Sequence, residues 1–335
     1  MTNHKESDLK RAFSEDGELK THVGGQALIE GVMMRGKYNW AVAVREPQQT
    51  MYTEEHELSS GKKKNSWMYW PLVRGCRAFV ESLMLGYKAL ESAALHAYGE
   101  EVEDEAEGES EEAFGKKEMI LSLVFGLVLG IGLLIVLPAV VANVLVGEYD
   151  DATLTWNIVD GLVRVAIFVF YIWLIGRMED IKRMFGYHGA EHKTISCYES
   201  GDELTVENVR KHTRFHPRCG TSFLLVVMIL SIVLFSAASS LLLTWVPALE
   251  SIHGTFLYNL IMIVFKLLLL PLVVSISYEF HRFAGRHDNW FTRILVAPGL
   301  WFQRFTTREP DDSMIEVGIT AFKAVLPAEE GADRW

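Results

Sequence analysis

The chain has 335 residues, of which 50% are hydrophobic, and carries a formal net charge of −11. That acidity lacks the basic footprint of a nucleic-acid binder, so no nucleic-acid partner is expected. Three cysteines (Cys76, Cys197 and Cys219) are too few for a disulfide framework.

Residues 1–20 read as a polar, disordered tail, with no early apolar stretch to mark a cleaved signal peptide. A cytoplasmic or interfacial region is expected over 21–98, opening on a small α/β element over 21–60. Gly24, Gly25, Gly31 and Gly36 bracket an apolar run, which predicts tight turns or close backbone approach. Trp40–Arg45 reads as a strand ended by Pro47. Lys62–Lys64 read as a loop near anionic head groups. Residues 72–98 read as an amphipathic helix, with Leu72, Cys76, Phe79, Leu83, Tyr87 and Leu90 on its apolar face. Such a helix suits the inner leaflet or the side of a cytoplasmic domain. Nine acidic residues between Glu100 and Glu112 mark a solvated linker over 99–118.

Four apolar runs follow, at 119–146, 158–176, 221–246 and 255–280, within a membrane domain spanning 119–280. Each reaches the ~18 residues that a bilayer-crossing helix needs. The segment before the first run holds 15 Lys and Arg, the 177–220 connection eight, and the tail after 280 seven. The short connections at 147–157 and 247–254 hold none. The positive-inside rule then puts both termini and the 177–220 loop in the cytoplasm. The expected fold is an α-helical polytopic membrane protein with both termini cytoplasmic. It has four transmembrane helices, cytoplasmic interfacial helices and the small N-terminal α/β element. Arg164 is expected to snorkel or pair with Asp160, whereas Lys266 has no evident acidic partner in any span.

The 177–220 loop predicts two helices. The first carries His188-Gly189-Ala190-Glu191-His192, an H-x-x-E-H spacing that puts both histidines on one helical face. The second covers 206–214, with Thr205 as N-cap and Leu204 and Val209 as a hydrophobic staple, after a turn at Ser200–Asp202. Past the fourth run, Trp290, Phe291, Trp301 and Phe302 flank Pro298-Gly299 in an interfacial segment of a C-terminal region, 281–335. Ser313 and Glu316 read as a capping box that starts a last helix reaching Leu326.

Two neutral imidazoles can hold a zinc-like divalent metal, and a neighbouring carboxylate can take a proton from a water the metal acidifies. His188 and His192 are the first two ligands. Three residues at similar depth compete for the third place. Glu279 leads, because a carboxylate at a spanning-helix end is costly without a role. His216, fixed by Pro217, comes next, and Cys219 remains open. Glu191 is the candidate general base. Arg218 or Arg282 can neutralise an oxyanion or bind an acidic substrate group.

The motifs GGQALIEGVMMRG, YHGAEHKTISCYE, ELTVENV, HPRCGTSF, ISYEF and TTREP resemble the YqhQ-like family of bacterial membrane proteins, from Gly24 to Ala324. The resemblance implies a metal-dependent enzyme whose activity the family does not specify. The His188, Glu191, His192 spacing is also similar to that of inverzincin peptidases, over one short motif only. The leading expectation is a metal-dependent hydrolase, with zinc as the first candidate, acting at the inner leaflet on a lipid or a membrane-borne peptide. The alternatives are a homo-oligomeric transporter or channel built around Lys266, and a non-enzymatic membrane-assembly protein with a structural metal.

Overall fold

The computed structural model describes residues 11–13, 19–58, 67–98, 121, 124–147, 153–287, 289–327 and 332. The polar tail, the Lys62–Lys64 loop and the acidic linker fall wholly or largely outside these residues. Within the tail, Arg11–Phe13 form a helical turn, and Ala12 packs with Phe215, Val296 and Leu300.

The glycine-bracketed segment folds as strands β1 (Gly24–Leu28) and β2 (Gly31–Arg35). Strands β3 (Asn39–Arg45) and β4 (Met51–Glu57) complete an antiparallel meander in the order β1-β2-β3-β4. The β1–β2 turn holds Glu30 at φ +50. Its carboxylate takes two bonds from Arg183, at 2.5 and 2.6 Å, and one from Tyr187 at 3.0 Å. That grip docks the hairpin on helix α4 (Glu179–Glu199).

Strand β3 reads as a continuous apolar run because both of its faces are covered. Trp40, Val42 and Val44 meet helix α1 (Val73–Tyr98), whereas Ala41 and Ala43 join the core of helices α4 (Glu179–Glu199) and α9 (Asp312–Val325). The result is a helix–sheet–helix sandwich.

Four helices are long and apolar enough to cross a membrane: α2 (Val124–Val146), α3 (Leu154–Ile175), α6 (Gly220–Trp245) and α7 (Phe256–Arg286). Helix α3 therefore starts ahead of the expected 158. Helix α7 continues past 280, so Tyr278–Arg282 lie inside a helix and not beyond its end. Arg164 pairs with Asp160 at 2.6 Å, as expected. Lys266 does have an acidic neighbour: the charge of Asp160 reaches it from α3, and its amine lies 5.7 Å from the Trp156 ring centroid.

Short elements deviate for local reasons. Thr205 caps α5, accepting from the Asn208 amide at 3.3 Å, but α5 is only Val206–Lys211 and does not reach 214. Helix α8 (Trp290–Thr306) is capped by Asn289 and Thr292. Helix α9 starts ahead of the Ser313–Glu316 box, because Asp311 already accepts the Met314 amide at 3.0 Å. Ser313 donates to Asp311 at 2.6 Å, and Glu316 binds Arg45 at 2.7 Å instead of capping.

Candidate metal centre

Helix α4 is the axis of the site. Every residue from Gly186 to Cys197 is buried, although the run includes two histidines, Glu191 and Lys193. Buried polar groups need partners, and here distant backbone supplies most of them. Lys193 donates to the Arg210 carbonyl at 3.0 Å and pairs with Glu309. The Thr306–Pro310 segment lies along α4, with the Arg308 amide donating to the Phe185 carbonyl at 2.8 Å.

His188 donates from Nδ1 to the Thr306 carbonyl at 2.7 Å, and its Nε2 lies 3.3 Å from Cys219 Sγ. His192 donates from Nδ1 to the Arg214 carbonyl at 2.7 Å, and its buried Nε2 makes no hydrogen bond among the described residues. Backbone carbonyls on both Nδ1 atoms set the tautomer and aim both Nε2 lone pairs the same way, as outer partners of metal-binding histidines do. The ligand atoms of His188, His192 and Cys219 all lie within 4.8 Å of one another. Two ligands of one tetrahedral zinc stand about 3.5 Å apart, given bonds of about 2.0–2.3 Å. The 3.3 Å approach of His188 to Cys219 therefore suits a shared ion. Cys219 reaches the site as the N-cap of α6.

On their own these groups form a thiolate beside a protonated imidazole, and a metal bound here would take the place of the His188 proton. Burial pushes the Cys219 thiol up, but the His192 and His188 imidazoles outweigh it and hold the sulfur well below the usual thiol range. Burial also disfavours a charged His188, and the sulfur beside it reverses this, lifting the imidazole to about 9. A metal does to thiolate sulfur what these imidazoles do, which is to hold it deprotonated.

Glu191 follows in the same turn. Burial raises its carboxyl above the usual range, and His188 and His192 offset part of that rise. It accepts from the Gly25 backbone of β1, while its Oε2 is buried without a partner. A Cβ on Gly25 would fall 2.8 Å from the Glu191 carboxyl carbon, so only glycine lets β1 come this close. A cavity of about 470 Å³ opens here, bounded by Gly25, Gln26, Ser82, Leu85, Glu191 and Cys219, among others.

The other expected site residues stand apart from the three-residue group. Glu279 is clasped by Arg74, which donates from Nε at 2.6 Å and from Nη2. His216 lies behind His192, with ring centroids 5.7 Å apart, and its Nε2 faces Glu199 at 3.4 Å. Arg218 binds Glu199 as well, and it lines the cavity.

Glu199, which the motif reading passed over, organises this corner. Its fully buried carboxylate accepts from Arg218, from His216 and from the Thr21 amide at 2.7 Å. Gln303 of α8 is the second residue the motifs do not mark. It takes the His216 amide at 2.9 Å and donates to the His216 carbonyl at 2.8 Å, fixing the loop that leads to Cys219.

Comparison with known proteins places this arrangement in a family. The profile of a family described as "Protein of unknown function (DUF1385)" matches residues 70–328, from the start of α1 past the end of α9. The Bacillus subtilis (strain 168) protein named "Uncharacterized protein YqhQ" is 31% identical over 315 residues, covering 91% of this chain and 92% of that protein. No solved structure matches. The candidate ligands His188, His192 and Cys219 and the carbonyls that orient them all fall inside the matched region, and the chain belongs to the YqhQ-like, DUF1385 family.

Proposed function

We propose that the chain is a metal-dependent hydrolase of the cytoplasmic membrane face, acting on a lipid or a membrane-borne peptide. In this reading His188, His192 and Cys219 hold one divalent ion, zinc first. One observation carries the reading. Two imidazoles, each oriented by a backbone carbonyl, meet a thiol within 4.8 Å, and His192 and Cys219 line a cavity with Glu191, whose Oε2 has no hydrogen-bond partner among the described residues. Three protein ligands with a fourth position left open are the catalytic pattern, whereas structural sites close all four.

An ion held there supplies Lewis acidity. Glu191 is the base: its Oε2 faces no protein donor, and its raised proton affinity suits proton exchange nearer to neutrality. Gly25 of β1 packs closely against its carboxyl. Arg218, anchored by Glu199, brings positive charge to the cavity for an acidic group or a developing oxyanion. The four apolar helices support a membrane setting, and the Lys and Arg distribution supports the cytoplasmic orientation.

A solute path through Lys266 is less well supported, because Asp160 supplies compensating charge to both Lys266 and Arg164.

Elemental analysis of the purified chain tests the site. One metal per chain is expected, lost in His188→Ala, His192→Ala and Cys219→Ala and kept in Glu279→Ala. Glu191→Gln should keep the metal and abolish metal-dependent conversion of inner-membrane lipid or peptide extracts, followed by mass spectrometry. Wild-type metal no higher than in the ligand variants sinks the reading. Release of metal by Glu191→Gln makes Glu191 a ligand and not the base.

A further inference from the structure

Helix α1 has its small residues inside and its large ones outside. Toward the sheet and the cavity it presents Ser82, Leu85, Gly86, Ala89 and Ala93, and Gly75 faces α7. On the opposite face Val80, Leu83, Met84, Tyr87 and Leu90 are 40–60% exposed. These five recur every three or four positions, and with Leu95 and Tyr98 they form a stripe about 27 Å long at 1.5 Å per residue. A helix packed on a soluble domain buries such a stripe.

The start of α1 shows what surrounds it. Cys76 donates to the Pro271 carbonyl at 3.0 Å and touches Ser275 Oγ at 3.2 Å. A Cβ on Gly75 would lie 2.7 Å from Ser275 Cα, so the two backbones nearly touch. Arg74 clasps Glu279 one turn further along α7. All of these partners belong to a helix apolar and long enough to cross a membrane, so the outer stripe of α1 begins at the depth of that helix. Trp67 and Trp70, both exposed, stand just before α1, where interfacial aromatics belong. By helical position Lys88 lies at one edge of the stripe, where a cation suits anionic head groups, and Arg77 on that edge pairs with Glu81 and stacks on Tyr69.

We propose that the outer stripe of α1 lies in the cytoplasmic leaflet, and that the metal cavity takes its ligand, an amphiphile, from that leaflet past α1. The inference rests on the hydrolase reading for the use of the cavity and names the substrate class. Adjacent residues make the geometry testable: Ser82 lines the cavity, and Leu83 is 58% exposed on the outer face.

A photoreactive benzophenone amino acid is placed at Ser82, at Leu83 or at Glu55 on β4, in the full chain. Each variant is reconstituted into vesicles of phosphatidylethanolamine and phosphatidylglycerol, irradiated and weighed intact. Lipid adducts are expected at Leu83 and Ser82, with none at Glu55. If the Ser82 variant loses its metal, Gln26, which lines the cavity from the sheet side, replaces it. Absence of a lipid adduct at Leu83, or crosslinking of Leu83 to a second copy of the chain, overturns the proposal. An adduct at Leu83 without one inside the cavity overturns lateral entry. Metal content measured on the same samples separates these outcomes from failure of the metal site itself.

Discussion

Gly189 sits where α4 meets the returning chain, and a Cβ there would fall 2.0 Å from the Arg308 carbonyl oxygen. In an isolated helix this glycine costs about 1 kcal/mol relative to alanine. Here it admits the segment whose Thr306 carbonyl orients His188. Gly189→Ala is therefore expected to push Thr306–Pro310 off the helix. It should lower stability by about 1–3 kcal/mol, the range for overpacking, and weaken metal retention. Thermal unfolding and elemental analysis read both effects, and a variant unchanged in both refutes the argument. The His188–His192 pair was legible, because helical spacing alone puts the two rings on one face. Cys219 was one of three candidates for the third place and could not be singled out, since Glu279 and His216 share its depth. The orienting groups were hidden altogether: Thr306 and Arg214 contribute main-chain oxygens, which leave no mark in the side-chain pattern.

Among the elements, α1 teaches the most. Its periodicity placed Leu83, Tyr87 and Leu90 on the exposed apolar stripe, but Leu72 lies before the helix at φ +69 and Cys76 packs on α7, and the residues that pack on the sheet are Leu85, Ala89 and Ala93. Helix α9 shows a different limit: two overlapping capping patterns compete, and Asp311 wins by reaching the Met314 amide first. The joint between α4, the strand leading into β1 and the loop before α6 depends on one carboxylate. Burial disfavours the charge of Glu199, but the His216 bond and the Arg218 guanidinium outweigh burial and hold its carboxyl below the usual glutamate range. The folded chain thus binds fewer protons here than the unfolded chain. The stability from Glu199 is complete above the ordinary glutamate range and is lost as pH falls through the depressed folded value. Glu199→Gln should cost about 3 kcal/mol near neutral pH, as for a broken buried ion pair. Unfolding midpoints of wild type and variant should converge in acid, and a gap constant with pH refutes this assignment.

At the scale of the whole molecule, the chain joins a helix–sheet–helix sandwich to apolar helices. The candidate ligands come from α4 and the tip of α6, and α7 meets the sandwich through α1. The four apolar helices were legible from length and composition, because little else produces such runs. The sandwich was only partly legible, since β1 and β2 are too glycine-rich to read as strands without α4 to dock on. The charge distribution predicts that the sandwich faces the cytoplasm. A membrane-impermeant maleimide applied to intact cells should therefore label Ser251→Cys, in the connection between α6 and α7, but should label Glu55→Cys only after permeabilisation. The reverse pattern inverts the topology.

The Thr306 carbonyl has a consequence for biosynthesis. A chain emerging from the ribosome has all three candidate ligands once Cys219 is out, yet His188 lacks its orienting partner until residue 306 follows. On the proposed metal-centre reading, stable metal capture would therefore belong to the nearly finished protein, after α6 and α7 have formed. A nascent or truncated chain ending before α8 would carry the three side chains without the geometry, so on that reading metal loading would report that synthesis has run to completion.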